Sequence, residues 1–197
     1  MSVFTPGEKR SLWSDEMRRA LGGYDPFPAF RRHFDRVREA EHLNRLLYVD
    51  LKTWLVNDIL VKMDRMAMAS SLEVRSPLLD QKVIEFAAGL PPDLKLHRGT
   101  SKYLLKRHAE RRVPGSAIHR PKMGFSIPLA AWLRGGLRDM AEDLLVSDRA
   151  RARGYFEAGS IRTMWTRHQA GRQDHCHQLW ALMMLELWHR QFLDAGA

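Results

Sequence analysis

Apolar positions along this chain recur mainly with a helical period, and no train of alternating strands is visible. Residues 1–28 read as an N-terminal arm. Within it Thr5-Pro6 and Ser14 mark helix starts, and Gly22-Gly23 with Pro26 and Pro28 marks a loop. A long helical stretch is expected from about residue 29 to 69. There Leu47, Leu51, Trp54 and Leu55 fall at i, i+4, i+7 and i+8, one face of a helix. Residues 70–80 break that period. Leu72, Val74 and Ser76 alternate with Glu73 and Arg75, and Pro77 drives Ser76 out of the helical region, which predicts an extended segment. Asp80 is placed to cap a short helix carrying Val83, Ile84, Phe86 and Ala87, stopped by Gly89 and Pro91-Pro92. Thr100 or Ser101 is expected to cap the next helix, with Leu104, Leu105 and Ala109 on one side and Pro114 closing the segment. After a loop over 119–126, Pro128 opens a helix whose apolar positions are Leu129, Trp132, Leu133, Leu137, Met140, Ala141 and Leu144. The last helix, about 174–193, is apolar almost all round and is predicted to lie buried at the centre of a bundle. The fold class is therefore all-α.

Composition narrows the picture only a little. With 197 residues, 45% hydrophobic and 28% charged, the chain can bury a core and is not disordered throughout. The formal net charge of +9 points to an anionic partner or to solvated basic faces. A single cysteine, Cys176, excludes an internal disulfide framework and fits a reducing cytoplasm. No apolar run is long enough for a membrane span, and the first residues lack the apolar block of a signal peptide.

Five motifs bear on chemistry. Gly22-Gly23-Tyr24-Asp25 superficially matches an SGGxDS pyrophosphate loop, but Leu21 and Pro26 stand where serines are needed, so it reads as a turn. Asp58, Lys62 and Arg65 fall at i, i+4 and i+7, giving either an ordinary surface ion pair or a polar stripe facing a charged substrate. Glu73 and Arg75 point to one side of the extended segment. They can hold a zwitterionic amino acid or tie a loop to a helix. Lys122, between Pro121 and Gly124, sits in a loop able to aim an ammonium at charge building on a phosphate oxygen. Asp174-His175-Cys176-His177 invites a metal reading, yet adjacent helical residues diverge by about 100°, so Asp174 is better used as a cap and no metal site is expected.

Three of these segments in order, DILVKMDRMAMASSLEVRSPLLD, GTSKYLLKRHAERRVP and HRPKMGFSIPLAAWLRG, resemble the C-terminal half of the asparagine synthetase family, closest to bacterial, exosortase-associated members. The resemblance runs from about Phe4 to the end. It implies the helical C-terminal half of an ATP-pyrophosphatase-type synthetase domain over residues 29–197. It further implies that ATP with Mg2+ adenylates a carboxylate, that of aspartate, and that ammonia from glutamine attacks the acyl-adenylate. By the same resemblance Lys122 matches the lysine that stabilises charge on the reacting phosphate, and Asp58 lies near an acidic position that assists the acceptor or ammonia chemistry. Lys62, Arg65, Glu73, Arg75 and Asp80 match positions lining the cleft. Two departures stand out: there is no phosphate-binding SGGxDS loop, and no cysteine near the start to serve a glutaminase. The expectation is thus an excised piece, a split gene product or a truncated frame that does not make asparagine alone.

Two rivals remain. A basic nucleic-acid-binding helical module would use Arg31, Arg32, Arg36, Arg38, Lys102, Lys106, Arg107, Arg111 and Arg112, although no recognised binding motif is present. A non-catalytic scaffold or partner subunit would present an apolar face where the α/β half docks. Oligomeric state, a homodimer included, is open.

Overall fold

The computed structural model describes residues 3–121 and 127–194. The chain divides into two compact units, Met1–Tyr24 with Gly124–Ala197, and Asp25–Met123. The first unit thus crosses the boundary expected at residue 28.

The first unit begins with α1 (Pro6–Leu12) and α2 (Asp15–Leu21). Thr5 caps α1 in a capping box with Glu8, and Ser14 accepts from the Met17 amide to cap α2, as their positions in the sequence suggest. Gly22, in the left-handed region at φ 52°, ends α2. Leu12 is buried in the core of this unit. Its backbone is tied there too: the Glu157 amide donates to Leu12 O at 2.8 Å and the Ser14 amide to Tyr155 O at 3.0 Å.

The second unit holds α3 (Pro28–Arg36), α4 (His42–Asp50), a π-helical stretch (Leu51–Ile59), α5 (Leu60–Ala69), α6 (Gln81–Gly89), α7 (Pro92–Lys95), a two-stranded hairpin β1 (Leu96–His97) and β2 (Thr100–Ser101), α8 (Tyr103–Ala109) and α9 (Gly115–Ile118). The single helix expected over 29–69 is interrupted between Arg36 and His42. The interruption lets α4 pack against α3, where the Arg45 guanidinium covers the Phe34 ring at 3.8 Å and His42 meets the same ring edge-on. Thr100 and Ser101 do not cap α8. They pair with His97 and Leu96 across Arg98-Gly99, both at positive φ, a two-residue turn that the Gly99 backbone permits. Residues 72–76 lie outside any helix or strand, and the Asp80 cap is observed; Asp80 accepts from the amides of Lys82 and Val83. Among the described residues none between 25 and 121 is buried.

The first unit resumes with α10 (Leu129–Arg134), α11 (Arg138–Val146), α12 (Asp148–Ala152), α13 (Ala158–Gln169) and α14 (Cys176–Phe192). The helix expected to run from Pro128 past Leu144 is two helices, broken at Gly135-Gly136. A Cβ on Gly135 would lie 3.2 Å from Ala131 O. Leu129, Leu133, Ala141, Leu144, Ile161, Trp165, Leu179 and Met183 form the core. Of α14 only one face is buried. Leu179, Leu182, Met183, Glu186 and His189 lie inside, while Trp188 and Phe192 are exposed, so its expected all-round burial is not met within this unit.

Candidate functional site

Asp58, Lys62, Arg65, Glu73, Arg75 and Asp80 lie on the second unit. Asp58 sits in the π-helical stretch and Lys62 in the first turns of α5. Their side chains pair at 2.5 Å, both solvent-accessible. A π-helix closes i→i+5 and is rare over nine residues. Its wider turn brings residues four and five apart into line, so Trp54, Asp58 and Lys62 share one stripe. The Lys62 bond is the main cause holding the Asp58 carboxyl below the ordinary aspartate range. Desolvation opposes this lowering, and the charge of Lys62 adds to it. Asp58 is therefore a standing anion with an accessible face, suited to attracting a cationic or amino group. Arg65 is exposed one turn further along α5.

The structure unites Glu73 with Arg75 in a second ion pair on the extended segment. No hydrogen bond or ion pair joins this pair to Asp58–Lys62 among the described residues. The segment follows a sharp exit from α5: Ser71 adopts φ 55°, and the Leu72 and Ser71 amides donate to Ala67 O and Met68 O. Asp80 spends its carboxylate on the α6 cap. Lys122 lies outside the described residues.

Among the basic residues of the nucleic-acid alternative, Arg31 pairs with Asp25, Arg38 with Glu39 and Arg107 with Glu110. In the first unit the Asp174-His175-Cys176 run is used locally. Asp174 accepts from the Cys176 amide, and the His175 amide donates to His168 Nδ1 at 3.2 Å. Among the described residues no group of three or more His, Cys, Asp or Glu side chains is placed to hold a metal ion.

The first unit holds a polar network that sequence pattern does not disclose. Glu186, 5% exposed, accepts from Arg153 Nε at 3.0 Å and from Arg190 Nε at 2.8 Å. Arg153 also donates to Asp194, which Arg149 shares, and Arg190 to Asp143. The Arg153 and Arg149 bonds hold the Asp194 carboxyl far below the ordinary range. Four arginine-carboxylate pairings with partners more than 30 residues apart leave no periodic trace in a sequence, so only the coordinates could reveal them.

The asparagine synthase family matches residues 5–190. A protein of Mycobacterium tuberculosis, named provisionally as a glutamine-hydrolysing asparagine synthetase, is 36% identical over 95% of this chain and 29% of its own length. Glutamine-hydrolysing asparagine synthetase 1 of Bacillus subtilis is 32% identical over 86% of this chain and 27% of its own length. The glutamine-hydrolysing asparagine synthetase of Homo sapiens is 27% identical over 72% of this chain. No solved structure matches significantly. The chain spans less than a third of the length of these relatives. By the extent of the family match, this chain belongs to the asparagine synthase family.

Proposed function

We propose that the chain is the helical C-terminal part of an ATP-dependent, glutamine-hydrolysing amidotransferase of the asparagine synthetase type, and that its acceptor is the side-chain carboxylate of aspartate. The family match over residues 5–190 carries this reading. In the reaction the carboxylate attacks the α-phosphorus of ATP and pyrophosphate leaves. Ammonia then attacks the acyl carbon, AMP leaves with the bonding pair, and a proton is given up from nitrogen.

Within that scheme Lys122 neutralises charge gathering on the phosphate oxygens. Asp58, paired with Lys62, attracts the incoming ammonia or the amino group of the acceptor. Glu73 and Arg75 offer the paired charges that a zwitterionic amino acid requires. In the complete synthetase ATP would be used together with Mg2+. The nucleotide-binding α/β half and the glutaminase belong to the rest of the synthetase.

The test is Lys122→Ala and Asp58→Asn in the complete synthetase, with AMP, asparagine and glutamate measured separately. Lys122→Ala should lower asparagine formation on the order of a hundredfold or more while glutamine hydrolysis persists. Unchanged asparagine formation, or ATP-dependent asparagine synthesis by the 197-residue chain alone at an ordinary enzymatic rate, overturns the reading.

A further inference from the structure

The positive charge of this chain is concentrated in one place. Residues 94–123 carry nine Lys and Arg against a single acidic residue, Glu110, so eight of the nine net charges arise in 30 residues. The other 167 residues are close to neutral, with 23 basic against 22 acidic. Like charges at this density repel one another, and the segment lacks carboxylates of its own to offset them. The ligase reading takes up Lys122 and leaves the rest without a partner.

The structure gathers these cations around α8. At its start the His97 and Tyr103 rings lie 4.7 Å apart and join the β1–β2 hairpin to the helix. At its end Glu110 pairs with Arg107 at 2.8 Å and with His119 at 3.0 Å, which ties the end of α9 back to α8. The one acidic residue is thus spent as a pin between basic segments. Arg98, Arg111, Arg112 and Arg120 are all exposed, and among the described residues none of the four pairs with a carboxylate. Arg112 Nη1 meets His108 Nε2 at 3.1 Å. Arg98 stands at the hairpin tip at φ 46°, a left-handed conformation unfavourable for arginine, in a turn position that usually takes Asn, Asp or Gly. The basic residues near α3 differ: Arg31 is paired with Asp25 and Arg38 with Glu39.

We propose that the surface around α8 docks the phosphodiester backbone of single-stranded nucleic acid, without reading base sequence and apart from the ATP site of the ligase reading. Five of the nine cations are arginines, whose forked donors match phosphate oxygens in pairs. Arg98 lies before α8 and the other three after it. The helix has seven residues, a length of about 10 Å, which spans roughly three nucleotides at about 3.4 Å each. A single nucleotide would engage only one end of such a surface. An anionic membrane fits it less well, because interfacial helices need a broad apolar face. In α8 the one exposed large apolar side chain is Leu105.

The test is fluorescence anisotropy of labelled, mixed-sequence RNA and DNA single strands, about 20 nucleotides long, with the whole 197-residue chain. Affinity for single strands falls with salt at a log–log slope of about −0.7 per phosphate neutralised. Four arginines predict a slope near −3, a loss of about fiftyfold between 50 and 200 mM salt. Replacing Arg98, Arg111, Arg112 and Arg120 by Gln should remove most of that slope. Replacing the same four by Lys should keep it, which separates loss of charge from loss of fold. Replacing Arg31, Arg32, Arg36 and Arg38 by Gln, an equal loss of charge, should leave affinity within about twofold. Millimolar MgATP should compete no better than its ionic strength predicts. An equal effect of the two glutamine variants, a lysine variant no better than its glutamine counterpart, or displacement by MgATP overturns the proposal. So does a strict need for one base sequence, or tighter binding to poly-glutamate or to phosphatidylserine vesicles. None of these readouts depends on asparagine synthesis.

Discussion

Glu186→Gln should cost the first unit roughly 2 kcal/mol at pH 7, and the cost should vanish in acid. Glu186 is buried and accepts from Arg153 Nε at 3.0 Å, Arg153 Nη2 at 3.3 Å and Arg190 Nε at 2.8 Å. Hydrogen bonds to charged groups contribute about 1.5–3 kcal/mol net and neutral ones about 1 kcal/mol. The glutamine oxygen can still accept from one guanidinium, but its amide nitrogen turns a donor toward the other. Breaking a buried ion pair outright costs about 3–5 kcal/mol. Here Arg153 keeps Asp194 and Arg190 keeps Asp143, so the loss falls below that range. For a unit of this size, 2 kcal/mol corresponds to a fall in Tm of roughly 10 °C. Burial opposes ionisation of Glu186, but the bonds from Arg153 and Arg190 outweigh it and hold the carboxyl below its ordinary value. The stability gained is present above the unfolded glutamate value of about 4.3 and is lost as pH falls through the folded value. Urea unfolding followed by the fluorescence of Trp165, which is buried in this unit, reads both quantities. A loss below about 0.5 kcal/mol at pH 7, or one that persists undiminished at pH 3, refutes the reasoning.

The other predictions concern packing and a second titration. His168 is fully buried, and burial chiefly, with Arg134 nearby, holds its imidazole below the ordinary value; its Nδ1 accepts from the His175 amide. Stability from this residue is present above pH of about 6.5 and declines as pH falls toward the folded value, and His168→Gln should flatten that slope in pH-dependent unfolding. Leu133→Ala, at 0% exposure, should cost about 2–5 kcal/mol, whereas Met66→Ala in the isolated chain should cost less than about 0.5 kcal/mol; both are read by denaturant midpoints. Gly135→Ala should destabilise by about 1 kcal/mol, because the new Cβ meets Ala131 O at 3.2 Å; equal stability of the variant would count against the close approach.

Much of the local structure was legible. Thr5, Ser14 and Asp80 cap the helices they precede, because a short polar side chain beside an orphaned amide is a local event. Pro77 and the alternation from Leu72 to Ser76 marked the break in helical structure there, also a local event. What escaped depends on partners distant in sequence. The fold-back of α4 on α3 is stabilised by Arg45 over Phe34, which helical periodicity across residues 37–41 does not reveal. The α13 helix was overlooked, although Ile161, Trp165 and His168 at i, i+4 and i+7 did carry the signal. Of the candidate site, the Asp58–Lys62 and Glu73–Arg75 pairs were readable from spacing. The partners of each pair lie within four residues of each other, a separation that spacing along the chain exposes.

The two helices that disagree most with their sequence pattern share one property. Both α5 and α14 are apolar on more than one side, and both leave large side chains in solvent, Met63 and Met66 on one, Trp188 and Phe192 on the other. In the amphipathic α13 pattern and exposure agree, since one apolar stripe needs one neighbour and the first unit supplies it. A helix with two apolar sides needs two neighbours. For α14 one is present, in α10, α11 and α13, which accounts for its buried face of Leu179, Leu182, Met183, Glu186 and His189. For α5, among the described residues, the main packing is on the π-helical stretch that it continues. The mismatch therefore measures missing neighbours rather than faulty patterning, and it ranks the two helices: α14 is half covered and should hold the isolated chain together, while α5 waits for its surroundings. The order of hydrogen-exchange protection, α14 before α5, follows from that count of covered sides, and a reversed order would show that burial in this chain is set by something other than apolar packing.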